Sequence, residues 1–228
     1  IHLLIRAQGA NHSLVLSASA NAARVHLSEH SKTGPMEPPM FCMLLRKYLG
    51  SGRVQEVRRI AGDRILEIDI SALSELGDPI TRTLVIEIMG RHSNIILRAA
   101  DGRIVDAARH IGEDISRVRQ VLPGLPYAYP PSQGKLNPET ASADEIAQRL
   151  SETGGKLDKA ISAVLSGFSP QAAREACARI GFDTAVLIQE IDVPAAGKAL
   201  HDYLQSMPAM LHRSFVRRLL PCNFRGRI

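Results

Sequence analysis

The chain has 228 residues, 45% hydrophobic and 22% charged, which fits one large globular domain or two small ones that can bury a core without staples. Aromatics make up only 4%, with no Trp, and no apolar run approaches the ~18 residues of a spanning helix, which argues against base-stacking platforms and excludes a transmembrane helix. The formal charge is +5, from 28 Lys and Arg against 23 Asp and Glu, but residues 211–228 carry five Arg and no acid, leaving 23 basic and 23 acidic residues in the body. Bulk charge therefore does not decide for nucleic acid, and although a basic tail can bind polyanions, an unstructured end is the plainer reading.

The chain opens at Ile1 inside an apolar run, Ile1-His2-Leu3-Leu4-Ile5. It lacks the charged start and cleavage site of a signal peptide and reads as a piece whose first elements are missing. Residues 1–6, 13–18 and 23–27 are expected as short strands, separated by Gly9-Ala10-Asn11 and a small-residue turn at Asn21. After a polar, Pro-rich loop, residues 40–49 place Phe41, Leu44, Leu45, Tyr48 and Leu49 at helical spacing between Pro38-Pro39 and Gly50, which predicts an amphipathic helix lying on a sheet. Further strands are expected over 54–60, 65–70, 82–89, 94–97 and 103–108, with turns at Gly62-Asp63-Arg64, Gly90-Arg91-His92-Ser93 and Asp101-Gly102. This pattern implies an α+β fold whose first domain is an antiparallel sandwich or barrel.

From Pro123 to Pro138 the composition suits an irregular connector. Beyond it, helices are expected over 142–150, 156–165, 169–180 and 194–207. The domains are set at 1–137, 138–210 and a tail of uncertain nature at 211–228. Residues 163–181 resemble a helix–hairpin–helix: Gly167 supplies a reversal, Ser169 caps the next helix and Pro170 sits in its first turn. Such a turn presents backbone N–H groups that suit a phosphate oxygen, so Gly167 and Ser169 are candidate phosphate contacts. Two packed helices turning through Gly and Ser-Pro is the plainer alternative.

No phosphate-binding loop, nucleophile elbow or zinc-protease motif is present. The eight His do not pair at metal spacing, and Cys42, Cys177 and Cys222 lie far apart without a C-x-x-C pair. No metal, cofactor or catalytic residue is expected, and the thiols suit a reducing cytoplasm. Two polar turns stand out. Asp63-Arg64 reads either as a surface charge pair or as an Arg meeting a phosphate or base edge with the Asp holding its fork. In Gly90-Arg91-His92-Ser93-Asn94, turn chemistry accounts for Gly90 and Asn94 but not for Arg91 and His92. Arg117 and Arg119 point the same way on an expected extended strand, where they are candidate phosphate contacts that extend a basic edge or are simply solvated.

Pro38-Pro39-Met40-Phe41-Cys42-Met43-Leu44-Leu45-Arg46-Lys47, Gly62-Asp63-Arg64-Ile65, the run from Val85 through Met89-Gly90-Arg91-His92-Ser93-Asn94 to Leu97, and Val121-Leu122-Pro123-Gly124 resemble, in order and with matching gaps, the N-terminal half of the NFACT family. The resemblance covers roughly residues 1–200, and the Met-Gly-Arg-His-Ser-Asn run is its most specific part. It implies a first domain similar to the N-terminal domain of formamidopyrimidine-DNA glycosylase, followed by a helix–hairpin–helix domain. It also implies a non-enzymatic, cytoplasmic role in ribosome quality control. There the protein binds a large ribosomal subunit holding an obstructed peptidyl-tRNA and recruits alanyl-tRNA for mRNA-independent alanine tailing.

By that resemblance the tRNA-binding residues are Asp63 and Arg64, joined by Arg91, His92, Ser93 and Asn94; DNA and membrane partners are not expected. The family's opening elements, coiled coil and C-terminal domain are absent from this sequence, and residues 213–228 do not match it. Two other readings stay open: a glycosylase-like DNA repair protein, and a surface adhesin.

Overall fold

The computed structural model describes residues 1–7, 9–29, 34–60, 63–131 and 133–207, together with the backbone of 223–224. The fold is α+β. Strands β1 (His2–Ala7), β2 (Ala10–Ser17), β3 (Arg24–Ser28), β4 (Arg53–Arg59), β5 (Ile65–Leu73), β6 (Pro79–Glu87), β7 (Asn94–Arg98), β8 (Ile104–Ala107) and β9 (Asn223–Phe224) join in one antiparallel ladder of order β3-β2-β1-β9-β4-β5-β6-β7-β8. Among the described residues its outer strands β3 and β8 do not pair with each other. Most of the 211–228 tail lies outside the described residues; its Asn223–Phe224 backbone pairs with β1 and β4.

Period-2 patterning explains why this sheet has two different faces. On one face Leu3, Ile5, Leu14, Leu16, Ile68, Ile70, Leu84, Ile86, Ile95 and Leu97 form a single apolar core. Helix α1 (Met40–Leu49) covers it with Phe41, Leu45 and Leu49, as its 3.6-residue spacing predicts. Pro39 starts this helix by accepting from the N–H groups of Cys42 and Met43. On the opposite face Ile65, Val85, Ile96, Ile104 and Val121 make a smaller cluster. It is bordered by the buried polar residues Glu67, Thr83 and Glu87.

The β5–β6 hairpin is longer than the sequence pattern suggests. Ser74 Oγ accepts from the N–H groups of Leu76 and Asp78 and closes the turn. Pro79 then begins β6, opposite Leu73, a strand-end position where its missing N–H is tolerated.

Most of the chain divides into two compact units between Pro131 and Ser132, with Asp63 grouped with the second unit, where the sequence pattern sets the boundary after Asn137. The second unit holds α2 (Ala143–Thr153), α3 (Leu157–Val164), α4 (Pro170–Arg179) and α5 (Val193–Ser206). Ser142 and Glu145 form a reciprocal capping box on α2, while Ser169 and Asp192 cap α4 and α5. The core of this unit is Ile146, Leu150, Leu157, Ile161, Val164, Cys177, Leu200 and Leu204 with small residues between them. Gly197 lets α5 approach α2 closely: a Cβ there would lie 2.7 Å from Ala147 Cβ and 3.0 Å from the Ala143 carbonyl oxygen.

Candidate nucleic-acid interface

The strand register brings the two polar turns together. Ile65 pairs with Glu87, so Arg64 falls beside Ile88, whose N–H donates to the Arg64 carbonyl oxygen at 2.9 Å. The β4–β5 and β6–β7 connections thus share one end of the sheet, although Arg64 and Arg91 are far apart in sequence. Arg64 is exposed and Asp63 half-buried.

The β6–β7 connection is a single 3-10 turn over Gly90–His92. Gly90 takes φ +57°, a left-handed conformation that a side chain makes costly. Ser93 Oγ accepts from Met89 N–H at 2.8 Å. Asn94 is fully buried; its Oδ1 accepts from Ile95 N–H and Arg109 N–H, and its Nδ2 donates to the Arg109 carbonyl oxygen. Ser93 and Asn94, expected as tRNA contacts, therefore build the turn from inside. Their short polar side chains satisfy backbone groups that would otherwise be buried unpaired.

Arg91 and His92 are exposed. Arg91 Nε donates to His92 Nε2 at 2.9 Å, so the imidazole acts as an acceptor here. Arg109 completes the cluster: it is exposed, and its Nη1 donates to the Arg91 carbonyl oxygen at 2.7 Å. Neighbouring His110 is paired with Asp106 at 2.6 Å. Nothing in the spacing of Arg109 singled it out; the register that sets it beside Asn94 does.

Arg117 and Arg119 part company. The stretch is not a strand, because Ser116 Oγ accepts from the N–H groups of Val118 and Arg119 and bends the chain. Arg117 remains exposed. Arg119 turns inward as a forked partner of the buried Glu87, at 2.5 and 3.0 Å, and its Nε donates to the Ala128 carbonyl oxygen. Its charge is spent on the fold, which removes it from the phosphate-contact set.

Tyr127 OH donates to the same Glu87, and Tyr129 OH donates to Glu67 at 2.7 Å. Burial, with the Glu87 carboxylate, pushes the Tyr127 phenol far above its ordinary range. Glu67 also takes Arg58 and Arg98, while Asp69 takes Arg58 and the Thr83 hydroxyl. The stretch from Arg119 to Tyr129 is thereby pinned to the polar face of the sheet, an arrangement with no signature in the linear sequence.

In the second unit, Gly167 has φ +75° and the Ser169 hydroxyl accepts from Ala172 N–H at the start of α4. The adjoining depression of about 590 Å³ is lined by Ser169, Gln171, Ala172, Arg174 and Glu175. Cys177 is fully buried, and burial pushes its thiol up to about 11, with the Asp158 charge acting in the same direction. Among the described residues no group of three His, Cys, Asp or Glu is placed to hold a metal, and no helix is long and apolar enough to cross a membrane.

The chain is 44% identical over 197 residues to the Rqc2 homolog RqcH of Bacillus subtilis, covering 86% of this chain and 34% of that protein. It is 39% identical over 184 residues to RqcH of Streptococcus suis, covering 80% and 33%. It thus spans about a third of the length of these relatives. Among solved structures it resembles the N-terminal part of the fibronectin/fibrinogen-binding protein of Streptococcus suis, with TM-score 0.72 and 36% identity over 88% of this chain and 72% of that one. The fibrinogen-binding protein of Staphylococcus aureus gives TM-score 0.75 and 30% identity over 90% and 70%. Residues 1–220 match the NFACT N-terminal and middle domains. With the Met-Gly-Arg-His-Ser-Asn turn and the strands on either side of it accounted for in that match, the chain belongs to the NFACT N-terminal family.

Proposed function

We propose that this chain is the RNA-binding part of a cytoplasmic ribosome quality control factor. It binds tRNA, alanyl-tRNA in particular, on a large ribosomal subunit obstructed by peptidyl-tRNA, and so supports alanine tailing without mRNA. The chain is not an enzyme in this reading, since the ribosome itself makes the peptide bonds. The observation that carries it is that exposed Arg64 and Arg91 stand at the same end of the sheet. Exposed guanidinium groups at one end of a sheet are suited to phosphates and base edges. Kinship with RqcH supplies the biological setting.

Asp63, Arg64, Arg91 and His92 are the tRNA-contacting residues in this proposal, and Arg117, Gly167 and Ser169 are secondary phosphate contacts. The same reading takes the β-rich unit as similar to the N-terminal domain of formamidopyrimidine-DNA glycosylase. It takes residues 163–181 as a helix–hairpin–helix.

The test is capture of the tagged full-length protein from its host, followed by sequencing of the bound RNA, beside a folded Asp63→Ala/Arg64→Ala variant. Enrichment of large-subunit rRNA and an alanine tRNA, with only the tRNA lost in the variant, is the expected result. RNA at background in both would overturn the proposal. The solved relatives named for fibronectin and fibrinogen motivate surface adhesion as the second reading. Absence of RNA together with saturable fibrinogen binding would favour it.

A further inference from the structure

Three exposed arginines stand across one end of the sheet: Arg64 just before β5, Arg91 between β6 and β7, and Arg109 just after β8. The antiparallel registers of β5-β6-β7-β8 bring these three positions to the same end. With strands about 4.8 Å apart, the backbone distance from β5 to β8 is about 14 Å. Acidic side chains nearby are largely engaged: Asp106 holds His110, Glu113 accepts from Gln120, and Glu87 is buried against Arg119.

Arg109 is held more firmly than a surface arginine usually is. Asn94 grips both of its backbone polar groups, and its Nη1 is anchored on the Arg91 carbonyl oxygen. A guanidinium carries five N–H donors, so this single bond leaves most of an exposed fork for another acceptor. A side chain already ordered loses less entropy when it binds. The same bond fixes the backbone of Arg91.

We propose that Arg109 is a phosphate-contacting residue of the RNA interface and, through its bond to the Arg91 carbonyl, the positioning residue for the Arg91-His92 turn. The proposal rests on the RNA-binding reading above and adds a residue and a ligand group to it.

The test measures binding of labelled alanine tRNA to the full-length protein across a salt series. Arg109→Gln, Arg109→Lys and Arg91→Gln are compared with wild type and with Lys47→Gln, which removes a charge at the opposite end of the sheet beside Glu75. Circular dichroism and thermal melting check the fold of each. For Arg109→Gln we expect about tenfold weaker binding and a salt slope reduced by about one ion, with the slope regained in Arg109→Lys and Lys47→Gln unchanged. Weaker binding at an unchanged slope would make Arg109 a turn clip only and overturn the phosphate contact. Wild-type behaviour of Arg109→Gln beside a weakened Arg91→Gln would overturn the proposal while the RNA reading stands. Wild-type behaviour of both would overturn the two together.

Discussion

Asn94 holds Arg109 by both backbone groups, donating from Nδ2 to its carbonyl oxygen at 2.8 Å and accepting its N–H on Oδ1 at 3.0 Å. The amide stands in for a strand, continuing the β7–β8 ladder past the last backbone pair and fixing the chain that carries the exposed guanidinium. Asn94→Ala leaves those buried groups unpaired and is expected to cost about 3 kcal/mol. Denaturant melts check this, and a loss below about 0.5 kcal/mol would show that the clip does not hold the turn.

Arg119 is the counter-charge of Glu87, which is only 1% exposed. Arg119→Ala is expected to destabilise by about 3–5 kcal/mol, because it strands a buried carboxylate. In a Glu87→Gln background the same change is expected to cost far less, and a double-mutant cycle measures the difference. Additive losses would show that the two side chains do not depend on one another.

Acid sensitivity follows from Glu67 and Asp69. Burial pushes both carboxyls up, but Tyr129, Arg58 and Arg98 around Glu67, and Arg58 with Thr83 around Asp69, outweigh it and hold them below their ordinary 4.5 and 3.8. The folded state therefore binds these protons less readily than the unfolded chain. The resulting stabilisation is fully present above the ordinary values and is lost as pH falls through the lower, folded ones. Stability should stay level near neutrality and fall below about pH 4.5, less steeply in Glu67→Gln. Denaturant midpoints measured across that range check it; an equally steep fall in the variant would count against the assignment.

The α2–α5 crossing has room for no side chain at Gly197. Gly197→Ala raises intrinsic helix propensity, yet overpacking at the crossing is expected to dominate and cost about 1–3 kcal/mol. A raised melting temperature would mean that the helices separate easily to admit the methyl group.

Much of this organisation was legible from local pattern. Helix α1 follows from Phe41, Leu45 and Leu49 at helical spacing after Pro38-Pro39, and the cap at Ser169 follows from residue type alone. Strands β6 and β7 follow from their apolar runs on either side of Gly90. The β5–β6 hairpin runs on to Leu73 and Pro79, past the 65–70 and 82–89 that alternation marks, because Ser74 closes its turn through side-chain bonds that spacing does not show.

The candidate site divides in the same way. The sequence by itself determined that Asp63-Arg64 and Arg91-His92 lie in turns between apolar strands, because charged side chains cannot enter those runs without partners. Tertiary structure decided which polar residues face water. In a single run of four, Arg91 and His92 project outward while Ser93 and Asn94 are consumed by backbone groups that only the folded turn creates. It also decided that Arg119 belongs to Glu87 and that Arg109 stands beside Arg91. Those pairings depend on strand register and on the stretch from Arg119 to Tyr129 folding back over the sheet, and long-range register is set by how two faces pack, which no local spacing encodes.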